Sequence, residues 1–306
     1  MTMNKEAKHT LIFVVVLVGA FLLVNWLFGK ISNGLLASLP PSSNEVARMN
    51  YQITQSKSEC LILGSSRASH HYNPRILQDS LGLTTYNAGR NGHGISYADG
   101  VLRAVLGREK PKLIILEFSD GEFRPDWTEK ISSLKPYYHT YPQVLQLAKT
   151  ILGEKEGLKS MFSGYRFNSL MFPVIGTYLH SSTDNKKGFM PLKGQNDKNM
   201  KMRESKGDFS VNAVNKDILD DFIKICKDND ISIVAFCSPI YQDFSTERVE
   251  FAKICSERDI PFHDYSNDKY FMERPELFWD NAHLNDEGAR IYTLRVIEDV
   301  KKIRLQ

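Results

Sequence analysis

Leu61-Ile62-Leu63-Gly64-Ser65-Ser66-Arg67 is the stretch from which this chain can be read. After Cys60, three large apolar residues make a short buried strand, and Gly64 turns it. The two serines then meet the polar run Arg67-Ala68-Ser69-His70-His71, which reads as the start of a helix. A serine where a strand hands over to a helix lies above the carboxyl edge of a parallel sheet, where helix amides and dipole favour negative charge. Taken alone, Ser65 or Ser66 could equally do no more than cap the helix.

Working outward, strands and helices alternate. Pro74 to Leu81 reads as a helix opened by proline, Leu83 to Asn87 as a second strand, and Ile95 to Leu106 as a helix. Lys112 to Phe118 is a third strand, apolar without alternation, as expected when both faces of a sheet are covered. The alternation stops for about ninety residues, an insertion over 120–208 that is far longer than an ordinary connection. Its first part is rich in aromatics, such as Tyr137, Tyr138, Phe162 and Phe172, and suggests short helices. Its second part, Asp184 to Lys206, is a basic loop that reads as solvated surface or as a contact with anionic lipid or polymer. Alternation resumes with a helix from Asn212 to Lys227, a strand from Ile231 to Cys237, a helix from Thr246 to Arg258, and a short strand from Pro261 to Tyr265. A final helix spans roughly Asp286 to Ile303. This order implies an α/β fold with a parallel sheet, right-handed crossovers and helices on both faces.

The chain has 306 residues, 42% hydrophobic and 25% charged, which suits one α/β domain with an insertion. A net charge of +3 is too small to argue for nucleic acid. There is no Gly-x-x-x-x-Gly-Lys loop and no Cys-x-x-Cys pair, so no nucleotide, metal or other cofactor is signalled. Thr10 to Phe28 holds 19 residues without a charge, broken only by Asn25, with Trp26 and Lys30 at its end. Its apolar core is longer than that of a cleaved signal peptide, which favours an uncleaved transmembrane anchor. Lys5 and Lys8 put the short N-terminal side in the cytoplasm and the remaining chain outside, as a single-pass protein. The organisation read from this is a tip and anchor over 1–30, a linker with a helix capped by Ser43 over 31–58, and an α/β domain over 59–306. Cys60, Cys226, Cys237 and Cys255 show no framework spacing and read mostly as free buried thiols, with a Cys226–Cys255 bridge left open.

The polar residues gather at strand ends. Ser66 follows the first strand, Asn87 to Gly94 the second, and Ser119-Asp120 the third, while Asp280 and His283 follow the last. A hydroxyl, an imidazole to take its proton, a carboxylate to orient the imidazole and amides for an oxyanion are what nucleophilic catalysis needs. Asp280 and His283 are three residues apart, so the aspartate can hold the imidazole locally.

Over Cys60–Phe123 and Trp279–Thr293 the chain resembles the SGNH or GDSL-type hydrolases. Gly64-Ser65-Ser66 looks like that family's Gly-x-Ser block, with serine in place of the usual aspartate, which implies Ser66 as nucleophile and its amide as an oxyanion donor. Asn87-Ala88-Gly89-Arg90-Asn91-Gly92 is similar to the second block and implies the Gly92 amide as another donor. Asp280-Asn281-Ala282-His283 resembles the last block, with Asp280 as orienter and His283 as base. The third block departs. Where the family has Gly-x-Asn-Asp, this chain has Phe118-Ser119-Asp120-Gly121-Glu122, so the asparagine donor is missing. Losing one such donor typically costs about 10²–10³ in turnover. Arg67, Arg90 and Asn91 are candidates for substrate binding, with structural salt bridging as the other reading of the two arginines.

The resemblance implies a flavodoxin-like three-layer sheet and an esterase or acyltransferase acting on acylated glycans or lipids. The Gly-Ser-Ser-Arg run behind an anchor is also similar to membrane-tethered relatives of the D-alanyl-transfer protein of teichoic-acid modification, which admits a membrane acyltransferase as a partner. The missing asparagine equally admits a catalytically weak or inactive accessory protein that binds glycan.

Overall fold

The fold is taken from a computed structural model that describes residues 4–40, 44–123, 125–180, 187–195, 212–241 and 246–303. Five strands, β1 (Cys60–Leu63), β2 (Thr85–Asn87), β3 (Leu113–Glu117), β4 (Ser232–Cys237) and β5 (Phe262–Asp264), form one parallel sheet in the order β2-β1-β3-β4-β5. This is a doubly wound arrangement whose strand order reverses between β1 and β3, so the chain leaving β1 enters the crevice at the switch point. β1, β3 and β4 are buried along their whole lengths, which is why their apolar runs are continuous.

The helices before the insertion are α1 (Lys5–Ala37), α2 (Glu45–Thr54), α3 (Ser66–His71), α4 (Pro74–Leu81) and α5 (Ile95–Leu106). The insertion adds α6 (Pro125–Thr128), α7 (Pro142–Leu152), α8 (Lys155–Ser160), α9 (Ser163–Phe167) and α10 (Met171–Leu179). After it come α11 (Ala213–Asp228), α12 (Thr246–Glu257), α13 (Lys269–Met272) and α14 (Asp286–Val300). Alternate strand residues feed two cores. Leu61, Leu63, Ile114 and Leu116 join α2, α5, α7 and α11 on one face. Cys60, Ile62, Leu113 and Ile115 join α3, α4 and α14 on the other. The expected three layers are therefore present, with helices on both sides of the sheet.

Two local expectations change and one reading left open is settled. Helix α1 continues through Ile31–Ala37, where the sequence suggested a linker, and it packs on α2, which is mostly buried. Asn44, not Ser43, caps α2 by accepting from the Val46 amide, and Ser43 itself lies outside the described residues. All four cysteines are buried and free, so there is no Cys226–Cys255 bridge. Of the basic loop, only 187–195 lie among the described residues; the rest of Asp184–Lys206 does not.

α1 is long and apolar enough to cross a membrane: 33 residues, about 50 Å, with its most apolar window wholly uncovered by protein. Its polar break has a local cause. Asn25 Oδ1 accepts the Ser163 amide at 2.7 Å, so the residue receives the first turn of α9. A Cβ at Gly29 would collide with Ser163, which is why the two helices can pack so closely there.

Candidate active site

Ser66 stands at the first position of α3, directly after β1 and Gly64. Gly64 has φ +139°, and a Cβ there would lie 2.6 Å from the Glu117 carbonyl oxygen, so no other residue fits this turn. The loop after β2 is laced onto it: the Ala88 amide donates to the Ile62 carbonyl at 2.8 Å and the Arg90 amide to the Gly64 carbonyl at 3.0 Å. A Cβ at Gly89 would meet the Ser69 backbone nitrogen at 2.5 Å, so this glycine lets the two loops touch.

The far end of the chain arrives at the same place. Residues 277–285 fold back on themselves, with the Trp279 amide donating to the His283 carbonyl at 2.8 Å and the Asn285 amide to the Leu277 carbonyl at 2.9 Å. Asn285 then caps α14 through the Gly288 amide. This brings His283 Nε2 to 2.8 Å from Ser66 Oγ across 217 residues of sequence. His283 Nδ1 lies 2.9 and 3.1 Å from the two Asp280 carboxylate oxygens. Asp280 carries no proton to give, so Nδ1–H donates to it, and Nε2 keeps the lone pair that faces the serine hydroxyl. Burial works against the Asp280 carboxylate, but His283 Nδ1–H and the amides of Ala282 and His283 outweigh it and hold its pKa below the ordinary range.

The other expected residues fall into two groups. Gly92 has the left-handed φ of +67° that its place in the turn requires, and its exposed loop follows the Arg90–Gly64 contact. Asn91 is exposed beside it. Arg67 is only 3% exposed and turns inward, where its Nε pairs with Glu117 Oε1 at 3.2 Å and its other nitrogens bond the Phe118 and Ser238 carbonyls. Its guanidinium is thus engaged in a buried ion pair, the structural reading of this arginine. Arg90 packs across the Tyr97 ring, 5.3 Å from its centroid, with Nη1 on the Met49 sulfur, so it too serves packing. In the third block, the Ser119 hydroxyl is bonded to Ser65 and Arg67, and Asp120 pairs with Arg248 at 3.2 Å. Both side chains are thus engaged with neighbours on the protein side.

Beneath the loop that carries His283 lies a network the sequence did not disclose. The Leu284 amide donates to His71 Nε2 at 2.9 Å, which makes that nitrogen an acceptor and puts the ring proton on Nδ1. Nδ1–H donates to Ser238 Oγ at 2.7 Å, and the Ser238 hydroxyl donates to Glu117 Oε1 at 2.6 Å. Tyr72 and Arg67 also donate to Glu117. Burial, then the charges of His283 and Arg67, press the His71 pKa well below its ordinary value, so it stays a neutral acceptor. Burial raises the Glu117 carboxyl, while Arg67 and the donors from Ser238 and Tyr72 pull it down. The His70 and His71 rings also meet the His283 ring edge to face, at 5.3 and 6.2 Å. The sole signal in the sequence was the pair His70-His71 one turn after Ser66.

Because His71 holds the residue after His283, His71→Leu is expected to lower kcat by up to about 10²-fold with KM little changed, through sub-ångström misplacement of the base. His71→Gln, which can restore an acceptor near the Leu284 amide, should recover part of it. Equal kcat values for the two variants would show that the acceptor does not matter.

Glu122 offers a stability test in the same region. Burial pushes its carboxyl up to about 8, against the Ile95 amide that donates to Oε2 at 2.9 Å. A carboxyl neutral in the fold and ionised when unfolded loses stability as pH rises from its unfolded value near 4.5 toward 8. Glu122→Gln is expected to remove that slope and to add about 1–3 kcal/mol at pH 7, after allowing for its new amide donor. Denaturant titrations at pH 5 and 8 measure it, and an equal difference at both would refute the assignment.

The sequence matches no protein-family model, and no curated protein is similar to it.

Proposed function

We propose that this chain is a membrane-anchored serine ester hydrolase or O-acyltransferase of the SGNH type, acting outside the cytoplasm on acyl esters of glycans or lipids. The observation that carries the reading is the hydrogen-bonded series Ser66 Oγ, His283 Nε2, His283 Nδ1 and Asp280. Ser66 Oγ attacks the ester carbonyl while His283 Nε2 takes its proton. The oxyanion that develops is met by the Ser66 amide, one of the unpaired first-turn amides of α3, and by the Gly92 amide. The carbonyl re-forms, the C–O bond to the leaving alcohol breaks, and His283 returns the proton to that alcohol. Water or a sugar hydroxyl then gives its proton to His283 and attacks the acyl-Ser66 carbonyl; the bond from the acyl carbon to Ser66 Oγ breaks and His283 returns the proton to Oγ, which completes hydrolysis or transfer respectively. Asp280 stabilises the imidazolium formed in each half. The anchor reading of α1 keeps this chemistry at the membrane, where the charges of Lys5 and Lys8 place the short N-terminal side in the cytoplasm.

The test is a fluorophosphonate probe, which phosphonylates a serine activated in this way. Wild-type protein should label and Ser66→Ala should not; a wild type that stays unlabelled would remove the enzyme reading. One observation favours a second reading, a weakly active or inactive accessory protein that holds a glycan or a membrane acyltransferase partner: Ser119 and Asp120 are engaged elsewhere, leaving no third oxyanion donor from that block. Cellular function that survives Ser66→Ala would select it.

A further inference from the structure

Helices α8–α10 carry an apolar surface that no described residue covers. Leu158, Met161, Phe162, Phe172, Ile175 and Leu179 are all exposed, Phe172 at 86% and Leu179 at 73%. Outside α1 and these helices, the exposed large apolar residues among the described ones are Val214, Val249 and Leu294, scattered singly. Single exposed residues need no explanation, whereas a contiguous patch marks a contact. On α10, Phe172, Ile175 and Leu179 recur at the spacing of one helix face, while Val174 and Thr177 are buried on the other.

The patch is built against α1. The Phe162 ring lies 6.0 Å from Phe21 and the Phe167 ring 6.5 Å from Phe28. Asn25 bonds the Ser163 amide, and the Tyr178 hydroxyl donates to the Leu35 carbonyl at 2.7 Å. The insertion thus flanks α1 from the level of Phe21 to that of Leu35. The charge-free run Thr10–Gly29 ends at Lys30, and at 1.5 Å per residue Asn25 lies about 7 Å and Phe21 about 13 Å on its apolar side. If Lys30 marks the water boundary, the turn between α8 and α9 sits below it and the Tyr178–Leu35 contact of α10 about 7 Å above it, so the insertion straddles the interface. Amphipathic helices typically immerse by about 5–10 Å. Between Lys159 and Leu179 there is no Asp or Glu, and the one further cation, Arg166, is buried.

We propose that α8–α10 are a collar seated at the leaflet surface beside α1, the α8–α9 turn in the acyl region and α10 rising through the headgroups, so that the domain is partly immersed and not merely tethered. This rests on the reading of α1 as an anchor. The occupant of the patch is bilayer lipid, because its apolar surface adjoins the uncovered surface of α1 at Phe162 and Phe21, and the one acidic residue of α8–α10, Glu156, is buried against Lys159 and so presents no charge to anionic headgroups. The collar bears on the site through α2, which packs against α1, α5 and α10. From α2, Arg48 donates to the Gly89 carbonyl at 2.9 Å and to Ser69 Oγ at 3.1 Å. The nucleophile loop is therefore held at a set height above the leaflet, where a membrane-linked ester would meet it.

The full-length protein, in vesicles of phosphatidylethanolamine and phosphatidylglycerol, tests this by site-directed spin labelling. Nitroxides are placed at Leu158→Cys, Phe172→Cys and Leu179→Cys, with Leu17→Cys in α1 and Leu294→Cys on α14 as references; the four native cysteines are buried. Labels at 158 and 172 should collide several-fold more with oxygen than with a water-soluble nickel chelate, as at Leu17, Leu294 should show the reverse, and Leu179 should fall between them. Nickel-accessible labels at 158 and 172 with a lipid-facing Leu17 would overturn the collar and leave the anchor standing. A water-exposed Leu17 would overturn the anchor, and the collar with it. Collar labels shielded from both reagents would mean that a protein covers the patch, which also overturns lipid as its occupant.

Discussion

His283→Ala is expected to lower ester turnover by roughly 10⁴–10⁶-fold, Ser66→Ala by as much, and the double variant no further. The reason is geometric. Ser66 Oγ is an ordinary alcohol until its proton has somewhere to go, and among the described residues the imidazole nitrogen within hydrogen-bond reach is His283 Nε2, at 2.8 Å. With either partner gone the other has no function in the chemical step, so the losses cannot add. The measurement is kcat/KM on a short-chain chromogenic ester for all four proteins. Losses that multiply in the double variant, or a single variant within about tenfold of wild type, would mean that the two groups do not act as a unit.

The second large effect is expected for Asp280→Asn, a loss of about 10³–10⁴ in kcat with the fold retained. Asp280 does two things at once. It accepts His283 Nδ1–H at 2.9 Å, and it accepts the amides of Ala282 and His283 at 2.8 and 2.9 Å. An asparagine can keep the amide bonds through its carbonyl oxygen. Its NH₂ can then face Nδ1, which makes Nδ1 the acceptor and moves the ring proton to Nε2, where it blocks the base. The loop should therefore keep its shape while the chemistry fails. Activity near that of wild type at neutral pH would show that another group orients His283. A collapsed melting temperature would instead assign Asp280 a mainly structural role.

The sheet was legible because its strands are short, apolar and buried on both faces, so β1, β3 and β4 stand out without any need of alternation. Ser66, Asp280 and His283 could be proposed together because a parallel sheet gathers strand ends on one edge, even across 217 residues. Arg67 could not be placed from its position next to Ser66. Successive helical residues point about 100° apart, so the serine faces the crevice while the arginine enters the core. The same limit hid His71, whose partners Ser238 and Leu284 are 167 and 213 residues away. Asn25 looked like a flaw in the apolar helix until its partner Ser163, which no periodicity could name, was in view. The turn from α1 into α2 was misread for a different reason: Ile31–Ala37 is polar and glycine-containing enough to read as linker, yet packing against α2 keeps it helical.

The most direct measurement is to trap the acyl-enzyme. Wild-type protein is mixed with an isotopically labelled acyl ester, quenched in acid and cleaved with trypsin, and the peptide Ser58–Arg67 is weighed and fragmented. The expected result is one acyl group on Ser66, absent from Ser66→Ala and from unquenched samples after turnover. Turnover with no acyl group on that peptide, or with the acyl group on Ser65, would contradict the assignment of Ser66 as the nucleophile that His283 activates.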